Sequence, residues 1–287
     1  MGAALVKGML NMKATASGDK LASANKSNDI SSGDKLACAN ISDDILSFEI
    51  LAYDIDAQKL NAFCSATGAR AASGNAELAG EADIVVLAVK PDAAPGALRQ
   101  AAERLSGDKL LISIVLGLSL GRIAELTEGR ARYVRCMPNT PALVNEGMTC
   151  VSMGSGTDGA DIEHVAAIFG SVGKVEFMQE KDLEKVTALT GSSPAYIFVL
   201  IEAMADAAVL SGLQRATAYK LASQAVLGSA KMVLETGMHP GALKDMVCSP
   251  AGSTIEAIRV LEGRGFRSAV IEAMRACDIR AGEISKQ

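Results

Sequence analysis

The most informative stretch of the chain is residues 83–115, DIVVLAVKPDAAPGALRQAAERLSGDKLLISIV. It begins and ends with near-continuous apolar runs, residues 83–89 and 109–115, and residues 94–105 between them form a helical stretch. Strands that are apolar along their whole length are typical of a parallel sheet covered on both faces. The stretch therefore predicts a strand–helix–strand unit within an α/β domain.

Two similar apolar runs flank this unit, FEILAY at residues 48–53 and ARYVRCM at residues 131–137. A further helical stretch covers residues 57–67. Turn residues bound each run, as expected where strands alternate with helices. We therefore predict that the α/β domain extends over residues 1–178.

The second half of the chain has a different pattern, without strand-like runs beyond residue 180. Ser193 as an N-cap, followed by Pro194 in the first turn, is typical of a helix start, and Gly212 and Gly237 are typical helix stops. The predicted helices cover residues 195–210, 216–236, 255–261 and 267–284. We therefore predict a second, all-helical domain over residues 179–287.

The helical domain is rich in Ala, Gly and Ser, which permit helices to approach closely. An ordinary helical bundle is one interpretation of this composition. The other is a domain that completes its core by pairing with a second copy of itself. The composition alone leaves both interpretations open.

The overall composition limits the possible partners. The 287 residues carry a net charge of −5, which argues against nucleic acid or an anionic membrane as a partner. With 3% aromatic residues and no Trp, platforms for base stacking are not expected. Apolar runs fall short of the ~18 residues that a membrane span needs. The initial MGAALVKGML reads as part of a helix, and we expect a cytoplasmic protein.

The cysteines and histidines give no pattern of a metal site. Six cysteines are scattered without a C-x-x-C pair, which is typical of reduced cytosolic thiols. The two histidines, His164 and His239, are far apart in sequence. A metal centre or a Ser-His-Asp triad is therefore not expected.

Residues 17–30 (SGDKLASANKSNDI) and 32–45 (SGDKLACANISDDI) form a tandem repeat. Two copies are too few for a solenoid. Their polar composition predicts a surface insertion within residues 13–47. We assign no chemistry to it.

Turn residues and polar groups follow the predicted strands. Asp54 follows the first strand, Ala88-Val89-Lys90-Pro91 ends the second, Gly117 follows the third, and residues 137–141 (MPNTP) end the fourth. In a doubly wound sheet, ligands bind beyond the carboxyl ends of the strands. Several prolines at one edge indicate a rigid pocket there.

A second candidate site lies in residues 239–261, HPGALKDMVCSPAGSTIEAIRVL, which reads as a loop leading into an amphipathic helix. Ser253 and Glu256 have the spacing of a capping box, with Ser253 as the N-cap. The N–H groups at the start of such a helix favour a carboxylate or phosphate, and the hydroxyls of Ser249 and Thr254 are close in sequence. A plain N-cap has the same local chemistry.

Four motifs together carry a resemblance to a known family: AVKP at residues 88–91, MPNTPALVNEG at 137–147, TGSSPAY at 190–196 and SPAGSTIEAI at 249–258. In this order, the chain resembles the pyrroline-5-carboxylate reductases from about residue 48 to residue 280. The resemblance implies a Rossmann-like, dinucleotide-binding domain followed by a helical dimerisation domain. It also implies a homodimer, which in this family often builds larger rings of dimers.

The reaction that the resemblance implies is hydride transfer from NADH or NADPH to the C=N carbon of the cyclic imine 1-pyrroline-5-carboxylate. The product is L-proline, and the reaction is the last step of proline biosynthesis. A protonated imine is already electrophilic, so positioning and charge complementarity can supply most of the acceleration. The scarcity of histidines and of metal ligands agrees with such a mechanism.

The resemblance also implies the roles of individual residues. Thr254 is the best candidate for hydrogen bonding or proton donation to the ring nitrogen, and Ser249 lies in the same loop. Gly252 and Ser253 would bind the substrate with them, and Glu180 matches an acidic position near the substrate. The residues implied for the cofactor are Gly2, Asp54, Asn75, Ala88, Val89, Lys90, Pro91, Gly117, Pro138 and Asn139.

Asp54 bears on the choice of cofactor. A carboxylate at this point of a dinucleotide fold accepts a hydrogen bond from a ribose 2′-OH and repels a 2′-phosphate. We therefore expect a preference for NADH over NADPH. As a single residue, an Asp after a strand is more often a turn or N-cap residue.

The chain departs from the family pattern at its start. Family members begin with a strand and a G-x-G-x-x-G turn, whereas Met1 and Gly2 match only the tail of that fingerprint. Three explanations would account for this difference: a misassigned start, a degraded gene, or a repeat that takes the place of the missing strand. We favour the first two, because the polar repeat is poorly suited to form a buried strand. Val115 and Leu116 also stand where the family usually has small residues, and we expect their side chains to crowd the cofactor.

Three hypotheses for function follow from these observations. The first is a reductase of pyrroline-5-carboxylate. The second is a cofactor-deficient, non-catalytic oligomer of the same family. The third is a reductase of another small imine or keto acid on the same scaffold.

Overall fold

The computed structural model describes residues 1–16 and 48–284. The predicted duplicated segment lies outside these residues. The chain divides into two compact units, one of Met1–Gly191 with the carboxyl end from Ala281, the other of Ser192–Arg280.

The strands of the first unit form two sheets. In chain order they are β1 (Leu51–Ala52), β2 (Arg70–Ala71), β3 (Ile84–Leu87), β4 (Leu110–Ser113), β5 (Arg132–Met137), β6 (Gly147–Met153) and β7 (Gly173–Phe177). Strand β1 pairs with β2 in parallel, and the larger sheet has the order β3-β4-β5-β6-β7. All four predicted runs contain a strand, and the Rossmann-like parallel class is confirmed.

One pairing in the larger sheet is antiparallel, that between β5 and β6. A short 3₁₀ turn, Thr140–Val144, follows β5 and ends at Asn145, whose φ is +61°. Parallel neighbours need a crossover of a dozen or more residues, whereas a tight turn returns the chain beside the strand it has left. The MPNTP motif therefore reverses the chain at the carboxyl end of β5.

The helices of the first unit alternate with its strands. They are α1 (Gly2–Ala16), α2 (Ala57–Thr67), α3 (Asn75–Glu81), α4 (Ala94–Ala102), α5 (Leu120–Leu126), α6 (Gly159–Gly170) and α7 (Glu180–Leu183). The structure confirms that the first residues are helical. Helix α2 has the predicted bounds because Asp56 accepts from the N–H groups of Gln58 and Lys59, while Gly68 ends it at φ +74°.

Both faces of the larger sheet are buried, which explains the near-continuous apolar runs. On one face Val85, Leu87 and Leu111 pack in a cluster with residues of α3, α4 and α5. On the other face Ile112 and Val134 pack in a second cluster with residues of α1 and α6. Neighbouring residues of a strand point to opposite faces, so β3, β4 and β5 each supply residues to both clusters.

An ion pair between a partly exposed arginine and a buried carboxylate joins β5 to α6. Asp161 accepts from Nε and Nη2 of Arg132 at 2.8 and 3.0 Å and also from the N–H of Asp158 at 3.1 Å. Burial acts to raise the pKa of Asp161, but the hydrogen bonds from Arg132 and Asp158 outweigh it, so the pKa lies below its usual value. The carboxylate is thus held ionised in the folded protein.

We expect Asp161→Ala to lower the free energy of unfolding by about 2 kcal/mol near neutral pH, because the hydrogen bonds that the buried carboxylate accepts from Arg132 and from the Asp158 N–H are lost. The contribution is present above the unfolded pKa of about 4 and is lost as the pH falls through the lower folded pKa. Urea unfolding at several pH values measures both effects. Asp182→Ala, which removes the exposed partner of Lys185, should leave stability unchanged. Equal losses in both variants would contradict the assignment.

The second unit is entirely helical, as predicted. Its helices are α8 (Ser193–Leu210), α9 (Arg215–Thr236), α10 (Pro240–Val247), α11 (Ser253–Gly263) and α12 (Phe266–Ile284). The stop at Gly237 is confirmed, with φ +62°. The prediction of Ser193 as an N-cap was wrong by one residue, since Ser192 is the N-cap. Helix α10 was not predicted, and it occupies part of the stretch that we interpreted as a loop.

The helical unit buries little of its apolar surface within one copy. Its buried residues, among those described, are Ala205, Ala218 and Ala222, on the neighbouring helices α8 and α9. Large apolar side chains are exposed instead, including Phe198 at 64% and Leu234 at 81%. The small side chains permit the close packing of two helices, while the large ones remain outside.

One helical stretch, Glu180–Leu210, is long and apolar enough to cross a membrane by length and composition. The sequence analysis did not anticipate this. Core helices of soluble proteins pass the same test. Asp206 in this stretch forms an ion pair with Arg215 at the start of α9.

Candidate active site

The carboxyl end of β3 leads into the AVKP motif, at the amino end of α1. Ala88, Val89, Lys90 and Pro91 are all exposed. A Cβ placed on Gly2 would lie 3.6 Å from the Cβ of Ala88. The first residue of α1 therefore lies beside the AVKP motif. The N–H groups in the first turn of a helix have no intrahelical acceptor and attract anions. The structure thus brings a helix amino end to the edge where the sequence predicted the cofactor.

Asp54 and Asn75 lie in exposed or partly exposed segments at helix starts. Asp54 Oδ1 accepts from the N–H of Asp56 at 2.8 Å in the turn before α2. Asn75 is the first residue of α3, and its Nδ2 donates to Gln100 Oε1 at 2.8 Å. The second carboxylate oxygen of Asp54 is free of hydrogen bonds to the described residues.

Gly117 lies in the loop 114–119 between β4 and α5, with φ +76°. A residue with a side chain would be strained in this left-handed conformation. The two residues expected to crowd the cofactor differ in their burial. Val115 is buried in the core, whereas Leu116 is 43% exposed. The crowding predicted from this departure therefore concerns Leu116 alone.

Pro138 and Asn139 follow β5, and the Asn139 amide binds two other segments. Its Oδ1 accepts from the Met148 N–H at 2.9 Å, and its Nδ2 donates to the Thr190 carbonyl oxygen at 3.0 Å. Asn139 therefore connects the MPNTP motif to β6 and to the start of the TGSSPAY motif. The sequence analysis did not predict these two hydrogen bonds of Asn139.

The TGSSPAY motif is held at its other side by α12. Cys277 Sγ donates to Ser192 Oγ at 3.2 Å. A hydrogen bond with Cys277, together with burial, raises the pKa of Tyr196. Helices α8 and α12 of the second unit are thus joined by a hydrogen bond between polar side chains at the start of α8.

Glu180 accepts hydrogen bonds from two residues of the first unit. Its Oε1 accepts from the Leu120 N–H at 2.7 Å and from Arg135 Nη1 at 3.2 Å. The Arg135 side chain is only 3% exposed, and Glu184 approaches the same nitrogen to 3.8 Å. Glu180 also lines a cleft of about 690 Å³ with Leu120, Ser152 and other residues, and of the predicted site residues it alone does so.

The predicted substrate loop is a tight turn between α10 and α11. The Gly252 N–H donates to the Ser249 carbonyl oxygen at 3.0 Å. Ala251 has a φ of +57°, a conformation that the third position of a type II turn requires and that usually selects Gly or Asn. A methyl group on Gly252 would overlap the Ser249 hydroxyl and lie 3.1 Å from the Ser249 carbonyl oxygen. Ser249 and Gly252 are therefore packed against each other.

The predicted capping box was wrong. Gly252 is the N-cap of α11, Ser253 is already helical, and no side chain caps the helix. Glu256 instead binds Arg259 one turn further on, at 3.0 Å, a pairing that helix geometry favours at this spacing. The first N–H groups of α11 thus lack a side-chain acceptor, next to the Thr254 hydroxyl. A capping box would have occupied these N–H groups, so its absence leaves them available to an anion.

His239 begins α10, the helix that leads into this turn. Its Nδ1 accepts from the Gly241 N–H at 3.0 Å, so the imidazole serves as the helix cap. Sequence analysis missed this cap, although a polar residue followed by Pro at the first helical position is a known signal.

The cysteines that the structure describes are free thiols. Cys64, Cys136, Cys150, Cys248 and Cys277 form no disulfide among the described residues. Burial raises the pKa of the Cys136 thiol well above its usual value. Groups of three or more potential metal ligands do not occur in residues 1–16 and 48–284.

Comparison with known proteins gives the family. Residues 180–284 match the model for pyrroline-5-carboxylate reductase dimerisation, and residues 31–117 match that for NADP oxidoreductase, coenzyme F420-dependent. The pyrroline-5-carboxylate reductase of Escherichia coli K12 is 49% identical over 83% of this chain and 88% of that protein. The chain belongs to the pyrroline-5-carboxylate reductase family. Its Arabidopsis thaliana relative is 43% identical over 76% of this chain and 79% of that protein.

Solved reductases of the family have the same fold. The Coxiella burnetii enzyme superimposes with a TM-score of 0.80 at 32% identity, covering 99% of this chain and 96% of that one. The Plasmodium falciparum enzyme with NADP bound gives 0.70 at 36% identity, covering 76% and 83%. This pyrroline-5-carboxylate reductase family member is thus an oxidoreductase with an NAD(P)-binding, Rossmann-like domain and a helical dimerisation domain.

Proposed function

We propose that this chain reduces 1-pyrroline-5-carboxylate to L-proline with NADH or NADPH, the last step of proline biosynthesis. The observation that carries the proposal is the turn Ser249–Gly252 before α11. It leaves the helix amino end free of side-chain caps, in the motif by which the chain resembles the family. An α-carboxylate fits such a helix end because its negative charge meets free N–H groups and the positive end of the helix dipole.

Different residues of the turn and of α11 are proposed to bind the carboxylate and the ring nitrogen of the substrate. The first N–H groups of α11 and Ser253 bind the carboxylate. Thr254 hydrogen-bonds the ring nitrogen. Where the imine binds unprotonated, the Thr254 hydroxyl donates the proton to this nitrogen and regains one from solvent, while Ser249 fixes the ring from the other end of the turn. NADH or NADPH, when bound, would supply a hydride for the C=N carbon. With the proton kept on nitrogen, the imine would become a secondary amine. Fixed orientation is expected to provide most of the rate acceleration.

Three features of the first unit support the proposal that it binds a dinucleotide. The exposed AVKP motif touches the amino end of α1, which suits the pyrophosphate charge. Gly117, with its left-handed backbone, lets the loop after β4 approach a ligand without a side chain in between. Lys90 adds a positive charge at the same edge. Pro138 and Asn139 are proposed to flank the nicotinamide, since they follow β5 at that edge.

The test is oxidation of NADH and NADPH by the purified chain with pyrroline-5-carboxylate, together with identification of proline. We expect one proline for each cofactor oxidised. Calorimetric titration with NADH, without substrate, separates the two other hypotheses. Failure to bind NADH would indicate a non-catalytic oligomer, whereas binding without turnover of this imine, and turnover of another imine or keto acid, would indicate a different substrate.

We also propose that NADH is the preferred cofactor. The exposed Asp54 has one carboxylate oxygen free for a ribose hydroxyl and would repel a 2′-phosphate. We expect Asp54→Ser to shift the kcat/KM ratio about tenfold toward NADPH, or about 1.4 kcal/mol. Asp108→Ser, which removes an exposed carboxylate before the amino end of β4, should leave the ratio unchanged. A clear preference of the unaltered chain for NADPH would contradict the proposal.

We infer that the helical unit forms a homodimer, and that such dimers can assemble into larger rings. The support is the match to the dimerisation family together with the exposed large side chains of α8 and α9. An apolar surface of this kind is typical of an obligate interface. Sedimentation equilibrium should give at least twice the chain mass of 29.6 kDa, and Phe198→Glu should lower the mass toward one chain. A monomeric unaltered chain would contradict this proposal.

Its partner in solution is thus proposed to be a second copy, with a small molecule as substrate. A cytoplasmic location is also proposed, because the scattered cysteines without a C-x-x-C pair are typical of reduced cytosolic thiols. The net charge of −5 does not favour nucleic acid or an anionic membrane.

A further inference from the structure

Glu180 connects three elements of the first unit through a single oxygen. It is the first residue of α7, it accepts from the N–H of Leu120, the first residue of α5, and it accepts from Arg135 in the middle of β5. The Arg135 guanidinium is almost fully buried, so its partners are fixed by the fold. Among residues 1–16 and 48–284, removal of Glu180 would leave Glu184, at 3.8 Å, as the carboxylate that approaches this charge.

The bond to Leu120 fixes the start of α5. The first N–H groups of a helix lack intrahelical acceptors and carry the positive end of the helix dipole, so a carboxylate there is a strong acceptor. Ser119, the N-cap, accepts from Arg122 and satisfies a different N–H. Glu180 and Ser119 thus hold the amino end of α5 by separate bonds.

The start of α5 is also the end of the loop 114–119. The other end of this loop is β4, whose residues are buried and paired on both sides. Gly117 lies between these two fixed ends, at the edge of the sheet where ligands of this fold class bind. The position of Leu120 therefore determines how closely the Gly117 backbone can approach a dinucleotide.

We propose that Glu180 is a positioning residue for the cofactor: it holds the loop 114–119 in place through the Leu120 N–H. The inference rests on the proposed function, since it assumes that this loop faces NAD(P)H. It differs from the role that the family resemblance implied, in which Glu180 acts near the substrate. The two roles make different demands, because positioning needs a hydrogen-bond acceptor, whereas action on a protonated imine needs a negative charge.

The test compares Glu180→Ala with Glu180→Gln, which keeps an acceptor but loses the charge. Binding of NADH to the apo protein is measured by fluorescence titration, and KM values for both substrates are measured with the active enzyme. We expect the Ala variant to raise the Kd and KM for NADH about tenfold, which corresponds to about 1.4 kcal/mol. The Gln variant should stay within about threefold of the unaltered chain, and the KM for pyrroline-5-carboxylate within about twofold in both.

Glu184→Gln is the matched control, because it removes a carboxylate near Arg135 that does not contact Leu120. It should leave NADH binding unchanged. Leu120→Pro provides a second route if Glu180→Ala does not fold, since Pro is accepted at the first helical position and removes the same N–H. It should weaken NADH binding in the same way, and adding Glu180→Gln to it should cause no further loss.

Two results would overturn the inference: unchanged NADH binding in both Glu180→Ala and Leu120→Pro, or a loss in Glu180→Gln that appears in kcat or in the KM for pyrroline-5-carboxylate. The latter would return Glu180 to the substrate. Failure of the proposed function is distinguishable, because in that case the unaltered chain would not form proline, whatever residue stands at position 180.

Discussion

Gly252→Ala is expected to lower kcat/KM for pyrroline-5-carboxylate by about 100-fold, the loss that a misplacement of about 1 Å can cause. The added methyl group would overlap the Ser249 hydroxyl and lie 3.1 Å from the Ser249 carbonyl oxygen. Either the hydroxyl rotates away or the turn opens, and both changes disturb the proposed substrate contacts. Steady-state kinetics with saturating NADH measure the effect.

Gly263→Ala is the matched control at the other end of α11. No atom lies within 4 Å of a Cβ placed there, and the residue is helical. Activity should be unchanged, with a slight gain in stability because Ala is the better helix former. NADH binding should be normal in both variants, since the turn belongs to the helical unit. Full activity of Gly252→Ala would contradict the proposed role of the turn.

Thr254→Val is expected to lower kcat by roughly 100-fold, in the range that loss of a general acid–base group causes. The substitution keeps the shape of the side chain and removes the hydroxyl proposed to serve the ring nitrogen. Thr254→Ser should retain most of the activity because it keeps the hydroxyl. The kcat values of the three proteins, measured across pH, test this role.

Ser253→Ala serves as the control for Thr254, because it removes a neighbouring hydroxyl from the same helix turn. It should raise the KM for the imine with a smaller change in kcat, as expected for a residue that binds the carboxylate. If Thr254→Val kept the kcat of the unaltered chain while Ser253→Ala lost it, the two assignments would have to be exchanged.

The sequence predicted the elements whose pattern is set by burial. The larger sheet is covered on both faces, so β3, β4 and β5 appear as apolar runs. Strand β7 was missed because its burial is only partial. Strand β6 was missed because its sequence, GMTCVSM, mixes small and polar residues whose burial depends on pairing with β5.

The candidate site was predictable where the chemistry is local and less so where it depends on tertiary contacts. The proposal of an anion site at the start of α11 depends on residues 249–254 alone. The failed capping box shows the limit of spacing arguments, because Glu256 had a competing partner in Arg259. The bonds of Glu180 join residues 45 and 60 positions apart. Pattern within one segment cannot specify such bonds, since they arise only when β5, α5 and α7 pack together.

Transfer of deuterium from the cofactor tests the central claim most directly. The chain would be incubated with pyrroline-5-carboxylate and NADH carrying deuterium at the transferred position, and the product examined by mass spectrometry and NMR. The proposed function predicts L-proline with one deuterium on the ring carbon that was double-bonded to nitrogen. NADH binding without deuterated proline would contradict it.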